Sequence, residues 1–424
     1  TQEVEILTLE DCLRIGIDNN LSLEGKRKEI QKSKYGVSEN RSKLLPQINA
    51  IAGYNNNFDP PVSVTDGSSY GVPYNITKTL QHSANAGLEM QMPLFNQTLY
   101  TSMSIAKVME EISRLSYGKA REDVILQISK MYYLGQVTAE QIMLIKANII
   151  RLEELRDITQ AFFDNGMSME VDLKRVNINL ENLKVQYDNA QAMMKQQLNM
   201  LKYIMDYPAE KEIALTPVNT DSITTVALTG LSENIYELQL SQSQVQLAER
   251  QKKIITNGYI PSLSLTGSWR YAAYTDKGYH WFHSGPSNQW FRSYGVGLTL
   301  RIPIFDGLDK TYKIKKAMID IENKRLAWED ARKNLQTQYL NAVNDLMNNQ
   351  RNFKKQKDNY LLAEDVYAVT SDRYREGIAS MTEVLQDEMQ MSEAQNNYIS
   401  AHYNYRVTNL MLLKLTGQIE SLVK

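Results

Sequence analysis

Two long, mostly polar stretches carry the same helical seam, and this repeat restricts the possible folds more than any other feature. From Gln97 to Ile204 the pattern runs out, reverses near Asn165-Gly166 and returns; from Gly307 to Leu415 it does so again. The first returning arm sets Val176, Leu180, Leu183, Tyr187, Ala190, Met194 and Leu201 at alternating four- and three-residue steps, which lines one narrow apolar seam along a helix. The second shows it at Met391, Ala394, Tyr398, Ala401, Tyr405 and Leu412, and even the polar interruption recurs, Gln197 in one and Thr408 in the other. The outgoing arms carry shorter seams, Ile142, Ile145, Ile149 and Leu152 in one and Tyr360, Ala363, Tyr367, Thr370 and Tyr374 in the other. This spacing predicts two antiparallel coiled-coil hairpins.

The repeat extends beyond the seams. Leu45-Pro46 matches Ile260-Pro261, Met92-Pro93-Leu94-Phe95 matches Ile302-Pro303-Ile304-Phe305, and Asn165-Gly166 matches Glu376-Gly377. Pro46 and Pro261 lie 215 positions apart, Pro93 and Pro303 210, Gly166 and Gly377 211. The halves stay in register apart from a longer insert between the first two prolines, so the chain reads as one pseudo-symmetric unit. The expected organisation is a first repeat over 1–206, a connector over 207–230 and a second repeat over 231–424.

Composition agrees with long wet helices. The chain has 25 Tyr and 18 Met against 8 Phe, with a negative mean hydropathy, as thin seams on water-exposed helices require. A net charge of −2 gives no electrostatic reason to expect nucleic acid. The single cysteine, Cys12, cannot form an internal disulfide and lies within a helical pattern, where it reads as a small buried hydrophobe. It is not the first residue and so offers no lipid attachment. No run approaches a transmembrane helix, so a membrane role requires strands. A start at Thr1, without a basic or apolar leader, suits a processed form.

Thr8-Leu9-Glu10-Asp11 predicts a capping box opening a short helix that ends at Asn19-Asn20; a polar helix over about 21–44 stops at Pro46. The period then changes from 3.6 to 2. Ile48, Ala50, Ala52 and Tyr54 alternate with polar or small residues, as do Ala84, Ala86, Leu88, Met90 and Met92; the second half repeats this with Leu263, Leu265, Gly267, Trp269 and Tyr271, then Tyr294, Val296, Leu298, Leu300 and Ile302. Each run is long enough for a tilted membrane strand, with one apolar and one polar, glycine-rich face. The strand hairpins are expected at about 47–94 and 262–303. The connections 59–81 and 276–289 read as loops. Tyr54, Phe58, Trp269, Tyr274, Trp290 and Tyr294, with Trp281, Phe282 and Phe291, gather near the loop ends and predict an interfacial aromatic girdle. The competing reading is a soluble hairpin with exposed aromatics.

Each strand pair leads straight into a helix, the first of which reaches about 100 Å at 1.5 Å per residue. Four strands cannot close a barrel, and open edges in lipid leave amides unpaired at several kcal/mol each. Other copies must then complete the sheet, and a polar inner face holds water. The inferred object is a tube.

The chain resembles the outer-membrane efflux proteins of Gram-negative bacteria, the TolC-like channel-tunnels. The resemblance covers essentially the whole sequence: Thr8-Leu9-Glu10 with Asn19-Asn20, the two Pro-strand-loop-strand-Pro-x-Phe units, and the two tips, where Phe163-Asp164-Asn165-Gly166 and Tyr374-Arg375-Glu376-Gly377 each give an aromatic-x-x-Gly turn followed six residues later by an acid, Asp172 or Glu383. It implies a mainly α fold with a β-barrel portion, in which three chains form an α-helical barrel continuous with a twelve-stranded transmembrane β-barrel, four strands per chain. It implies a homotrimer in the outer membrane with its helices in the periplasm, no cofactor, and docking of the tips to a periplasmic adaptor that couples the tube to an inner-membrane pump. The tip residues so assigned are Gly166, Asp172, Gly377 and Glu383. The entrance gate falls on Tyr374, Glu383 and Gln386, with Glu383 forming a carboxylate ring that favours cations. The chain departs from some members in carrying Ala379 where they have a basic residue and Gln386 where they have an acid, with Asp387 beside it. Arg373 or Arg375 is the candidate to supply the missing cation.

Enzyme readings lack support: the sequence has no phosphate loop, nucleophile elbow or paired-cysteine zinc pattern. His280 and His283 sit in an aromatic loop without nearby Cys or acidic ligands, a weak metal candidate. The alternative from another class is a soluble or surface coiled-coil interaction or adhesion protein whose hairpins rest on a small sheet. Efflux and protein secretion share one conduit, and no residue distinguishes the cargo.

Overall fold

A computed structural model of the chain describes residues 4–218, 228–276 and 290–423. The candidate pair His280 and His283, and the girdle candidates Trp281 and Phe282, lie outside these residues. In chain order the elements are β1 (Glu5–Leu7), α1 (Leu9–Asn19), α2 (Leu21–Ser42), β2 (Gln47–Asn56), β3 (Val62–Asp66), β4 (Tyr74–Lys78), β5 (His82–Phe95), α3 (Gln97–Asp164), α4 (Glu170–Met205), β6 (Ile213–Leu215), α5 (Tyr236–Asn257), β7 (Ser262–Thr275), β8 (Trp290–Arg301), α6 (Asp309–Arg375) and α7 (Met381–Leu415). The chain is mainly helical. None of the nine prolines among the described residues falls inside a helix, which lets α3 and α6 run for 68 and 67 residues.

The chain separates into two compact units, one of Thr1–Ile30, Ile112–Gln242 and Arg325–Lys424, the other of Gln31–Glu111 and Ser243–Lys324. The first holds the helical core. Leu13, Ile125, Ile128, Leu201, Met205, Leu410 and Leu412 pack together there, and a second cluster around Leu152, Leu155, Val176, Leu180, Tyr374, Val384 and Met391 fills the turn end of the hairpins. The seams are therefore the buried side of α4 and α7. Gln197, the first polar interruption, is buried, and Thr408, the second, accepts from Asn349 Nδ2 at 2.9 Å. Further apolar residues are left uncovered at steps of seven or fourteen residues: Val171, Ile178 and Val185 on α4, and Leu326, Leu340, Met347 and Leu361 on α6.

The opening capping box forms as its sequence predicts. Asp11 N–H donates to Thr8 Oγ1 at 3.1 Å and Thr8 N–H to Asp11 Oδ2 at 3.2 Å. Asn20 ends α1 and also starts α2, since its Oδ1 accepts from Leu23 N–H at 3.1 Å. The connector after α4 contributes β6, which pairs in parallel with β1. Tyr132 ties this pair to α3, its hydroxyl lying 3.3 Å from the Leu7 carbonyl and 2.6 Å from Thr216 Oγ1.

The second unit holds an antiparallel four-stranded sheet of order β2-β5-β7-β8. Cross-strand partners share a face, so the register sorts every side chain. Ala50, Leu88, Trp269 and Tyr294 form one row, Ile48, Met90, Gly267 and Val296 another; Asn49, Glu89, Ser268 and Gly295 form a row on the opposite face. One face is apolar and the other polar. Each outer strand has a single neighbour among the described residues, and β8 is exposed along all its length. The segment 59–81, expected to be a loop, instead contains a second hairpin, β3 with β4, pairing Val62 with Lys78 through Asp66 with Tyr74. Its loop-like composition hides two five-residue strands around Ser68–Tyr70.

Candidate functional site: the helix tips and the two-faced sheet

Both tips end their outgoing helix in the same way. Gly166 (φ 75°) donates to the Phe163 carbonyl at 2.9 Å while Met167 N–H reaches Phe162 O at 2.8 Å; Gly377 (φ 73°) donates to Tyr374 O at 2.9 Å while Ile378 N–H reaches Arg373 O at 2.8 Å. This is the Schellman arrangement, and its left-handed residue favours glycine. The aromatic-x-x-Gly pattern in the sequence thus encodes a turn geometry.

The returning helices start differently. Ser380 caps α7: its hydroxyl accepts from Glu383 N–H at 3.3 Å, and the Glu383 carboxylate accepts from Ser380 N–H at 2.8 Å. That backbone hydrogen bond holds the Glu383 carboxyl below its ordinary range, with Ser380's hydroxyl and nearby Arg373 acting in the same direction. Met169 gives α4 no such cap. Instead Asp172, only 16% exposed at its side chain, pairs with Arg175 at 3.2 Å, and Arg175 also donates to Thr382 Oγ1 at 3.4 Å. Arg175 therefore links the two tips.

Tyr374 is buried. Its ring lies 5.7 Å from that of Phe162, and its hydroxyl donates to Thr159 Oγ1 at 3.3 Å. Gln386 is exposed and Asp387 half-buried. Arg375 pairs with Glu154 at 3.3 Å and with Asp372 at 3.8 Å. Away from the tips, α3, α6 and α7 enclose a polar layer: Asn148 Nδ2 donates to Gln395 Oε1 at 2.7 Å, and Arg151 binds Glu364 at 3.1 Å. Burial raises the Glu388 carboxyl there, against the opposing pull of Arg151. A second buried group joins Glu140, Tyr398 and His402; Tyr398 donates to Glu140 at 3.0 Å, and His402 Nε2 accepts from Arg406 Nε at 2.9 Å. The sequence seams gave no hint of these layers, because Arg151, Glu364, Glu388 and Arg406 look like ordinary wet-helix residues. Arg175 and Ser380 were also missed; a Ser-x-x-Glu spacing was the available signal for the latter.

On the sheet, Tyr54 and Trp290 lie at opposite ends of one apolar-face row, through Ala84 and Ala273, and Trp269 and Tyr294 are direct partners on that same face. Tyr274 pairs with Ser83 opposite Asn55, which places it on the polar face, apart from Tyr54, Trp269, Trp290 and Tyr294 on the apolar one. Phe58 follows β2, almost fully exposed. The polar side carries a cavity of about 450 Å³ lined by residues including Asn49, Glu89, Gln91, Thr266, Ser268 and Arg270. Among the described residues no helix is long and apolar enough to cross a membrane.

A two-faced sheet running into paired helical hairpins is the fold of known outer-membrane channels. CusC superposes with a TM-score of 0.80 at 15% identity, over 96% of this chain and 91% of its own; the outer-membrane channel OprN gives 0.78 at 14%, over 96% and 89%. The outer membrane protein VceC of Vibrio cholerae gives 0.75 at 14%, over 96% of each chain. A model of outer membrane efflux proteins matches residues 15–205 and 227–418, most of the sequence, and the chain belongs to that family. Its relatives include the outer membrane protein TolC of Vibrio cholerae serotype O1, 21% identical over 399 residues, covering 90% of this chain and 84% of that one. The toluene efflux pump outer membrane protein TtgC of Pseudomonas putida is 23% identical over 379 residues, covering 84% and 75%.

Proposed function

We infer that the chain is the outer-membrane channel-tunnel of a tripartite efflux or type I secretion system, a passive exit duct from periplasm to exterior. The observation that carries this reading is the sheet, apolar on one face, polar on the other and, among the described residues, unpaired at both edges. Three copies close a twelve-stranded barrel, β8 of each joining β2 of the next, so every backbone amide in lipid finds a partner. The uncovered apolar stripes on α4 and α6 support the same assembly, as faces that neighbouring copies cover in a helical barrel. The two repeats, over 1–206 and 231–424 with a connector at 207–230, supply equivalent parts of the wall.

The tips at Gly166, Asp172, Gly377 and Glu383 dock the periplasmic adaptor, and through it the pump. Tyr374, Glu383 and Gln386 form the periplasmic entrance, and Tyr54, Trp269, Trp290 and Tyr294 form the girdle at the lipid boundary. The soluble adhesion reading is disfavoured by family membership. Purified protein placed in a planar lipid bilayer tests the proposal: stepwise conductance is the result expected, and protein that inserts without conducting would sink it.

A further inference from the structure

The polar face of the sheet is almost free of charge. Over the described strands its side chains are Ser, Thr, Asn, Gln, Gly and a few apolar or aromatic residues, and the ionisable carboxylate and guanidinium groups on it are Glu89 on β5, Arg270 on β7 and Arg301 at the end of β8. Glu89 and Arg270 form an ion pair across β5 and β7, and each offsets the charge of the other. Arg301 is exposed opposite Ser262, the first residue of β7, where the sheet passes into α6. It makes no ion pair among the described residues. Arg292, the remaining arginine of β8, lies on the apolar face, 5.8 Å from the Tyr294 ring centroid. The water-facing side therefore carries one uncompensated positive charge per chain, at its helix-side end.

We propose that Arg301 is the specificity-determining charge of the barrel, forming a basic collar that favours small anions, while the Glu89–Arg270 pair keeps the middle of the barrel neutral. The inference rests on the reading that three copies close around this polar face. Symmetry then places three guanidinium groups around one opening, with no carboxylate among the described strand residues beside them. A ring of fixed charge in a water-filled pore attracts counter-ions and repels co-ions, and arginine and lysine rings select anions. The neutral Ser, Thr and Gly surroundings leave nothing to oppose it. The pairing has a separate consequence. Removing Glu89 frees the Arg270 charge and removing Arg270 frees the Glu89 charge, so the two variants act in opposite directions although they break the same contact.

Reversal potentials in a potassium chloride gradient across a planar bilayer test the assignment, each variant being compared with the wild type so that charges elsewhere along the conduit cancel. R301E is expected to raise the cation-to-anion permeability ratio by about threefold or more, and R301Q by less. E89Q is expected to lower that ratio and R270Q to raise it. Conducting R301Q channels with an unchanged ratio overturn the collar, and shifts of the same sign in E89Q and R270Q overturn the pairing. R301Q keeps the test open if the charge reversal prevents assembly. A wild type that never conducts overturns the underlying channel reading, a result distinct from normal conduction with unaltered selectivity.

Discussion

The Tyr374 hydroxyl donates to Thr159 Oγ1 at 3.3 Å, joining α6 to α3 within one chain, and Thr159 in turn donates to the Leu155 carbonyl at 2.7 Å. This contact is buried next to both turns, so a residue proposed for the entrance also holds the hairpins together. Glu383 has a similar double role through its cap on Ser380.

These roles can be separated by substitution. Tyr374→Phe removes a buried hydrogen bond worth about 1 kcal/mol, and combined with E383Q should raise single-channel conductance while the assembled protein survives. E383A, which loses the reciprocal bond from Ser380 N–H, should in addition lower the thermal stability of the tips; E383Q, whose amide oxygen still accepts from Ser380, should not. Unchanged conductance in the double variant removes both residues from the gate.

At Gly166 and Gly377 the backbone is left-handed, which costs a residue with a side chain about 1–2 kcal/mol. No atom lies within 4 Å of the Cβ position at either site, so the penalty is conformational and not steric. G166V and G377V should abolish export that depends on the adaptor and still insert in the membrane. Full drug or dye export in either variant contradicts tip docking.

Glu122 gives a pH dependence of known sign. Burial pushes its carboxyl up from 4.5 to about 7, with Lys414 opposing and Glu420 and Asp123 adding to the rise. A raised carboxyl favours the folded state while protonated, so this contribution is fully present below 4.5 and is lost as pH rises through about 7. Thermal melts followed by helical circular dichroism should fall between about pH 5 and pH 8 in the wild type and fall less in E122Q. Equal slopes in the two proteins exclude Glu122 as the source.

The exposed stripes predict where assembly fails. Ile178→Glu and Leu340→Glu put charge on faces that are uncovered in one chain, so each variant should keep its helical content and lose the oligomer. An intact oligomer in both variants would place these faces elsewhere.

Much of this architecture was legible in the sequence because period is a local property. Alternation at Tyr294, Val296, Leu298 and Leu300 marks β8 directly, and the Val176-to-Leu201 ladder marks the buried side of α4. What was hidden depends on partners remote in the chain. The three-residue strands β1 and β6 are too short to show a period, and they pair across some two hundred residues. The β3–β4 hairpin is written in turn-rich residues. Tyr274 clustered with the girdle aromatics in sequence, but one step of strand parity sends it to the opposite face. At the tips, the glycines were visible and Arg175 was not, because its contact with Thr382 belongs to the other hairpin.

The central claim is that a single chain supplies one third of a closed barrel. Native mass spectrometry of detergent-extracted protein tests it most directly: the account predicts a species at three times the 48.7 kDa chain mass that is lost when detergent is withdrawn. A stable monomer in plain buffer would contradict it.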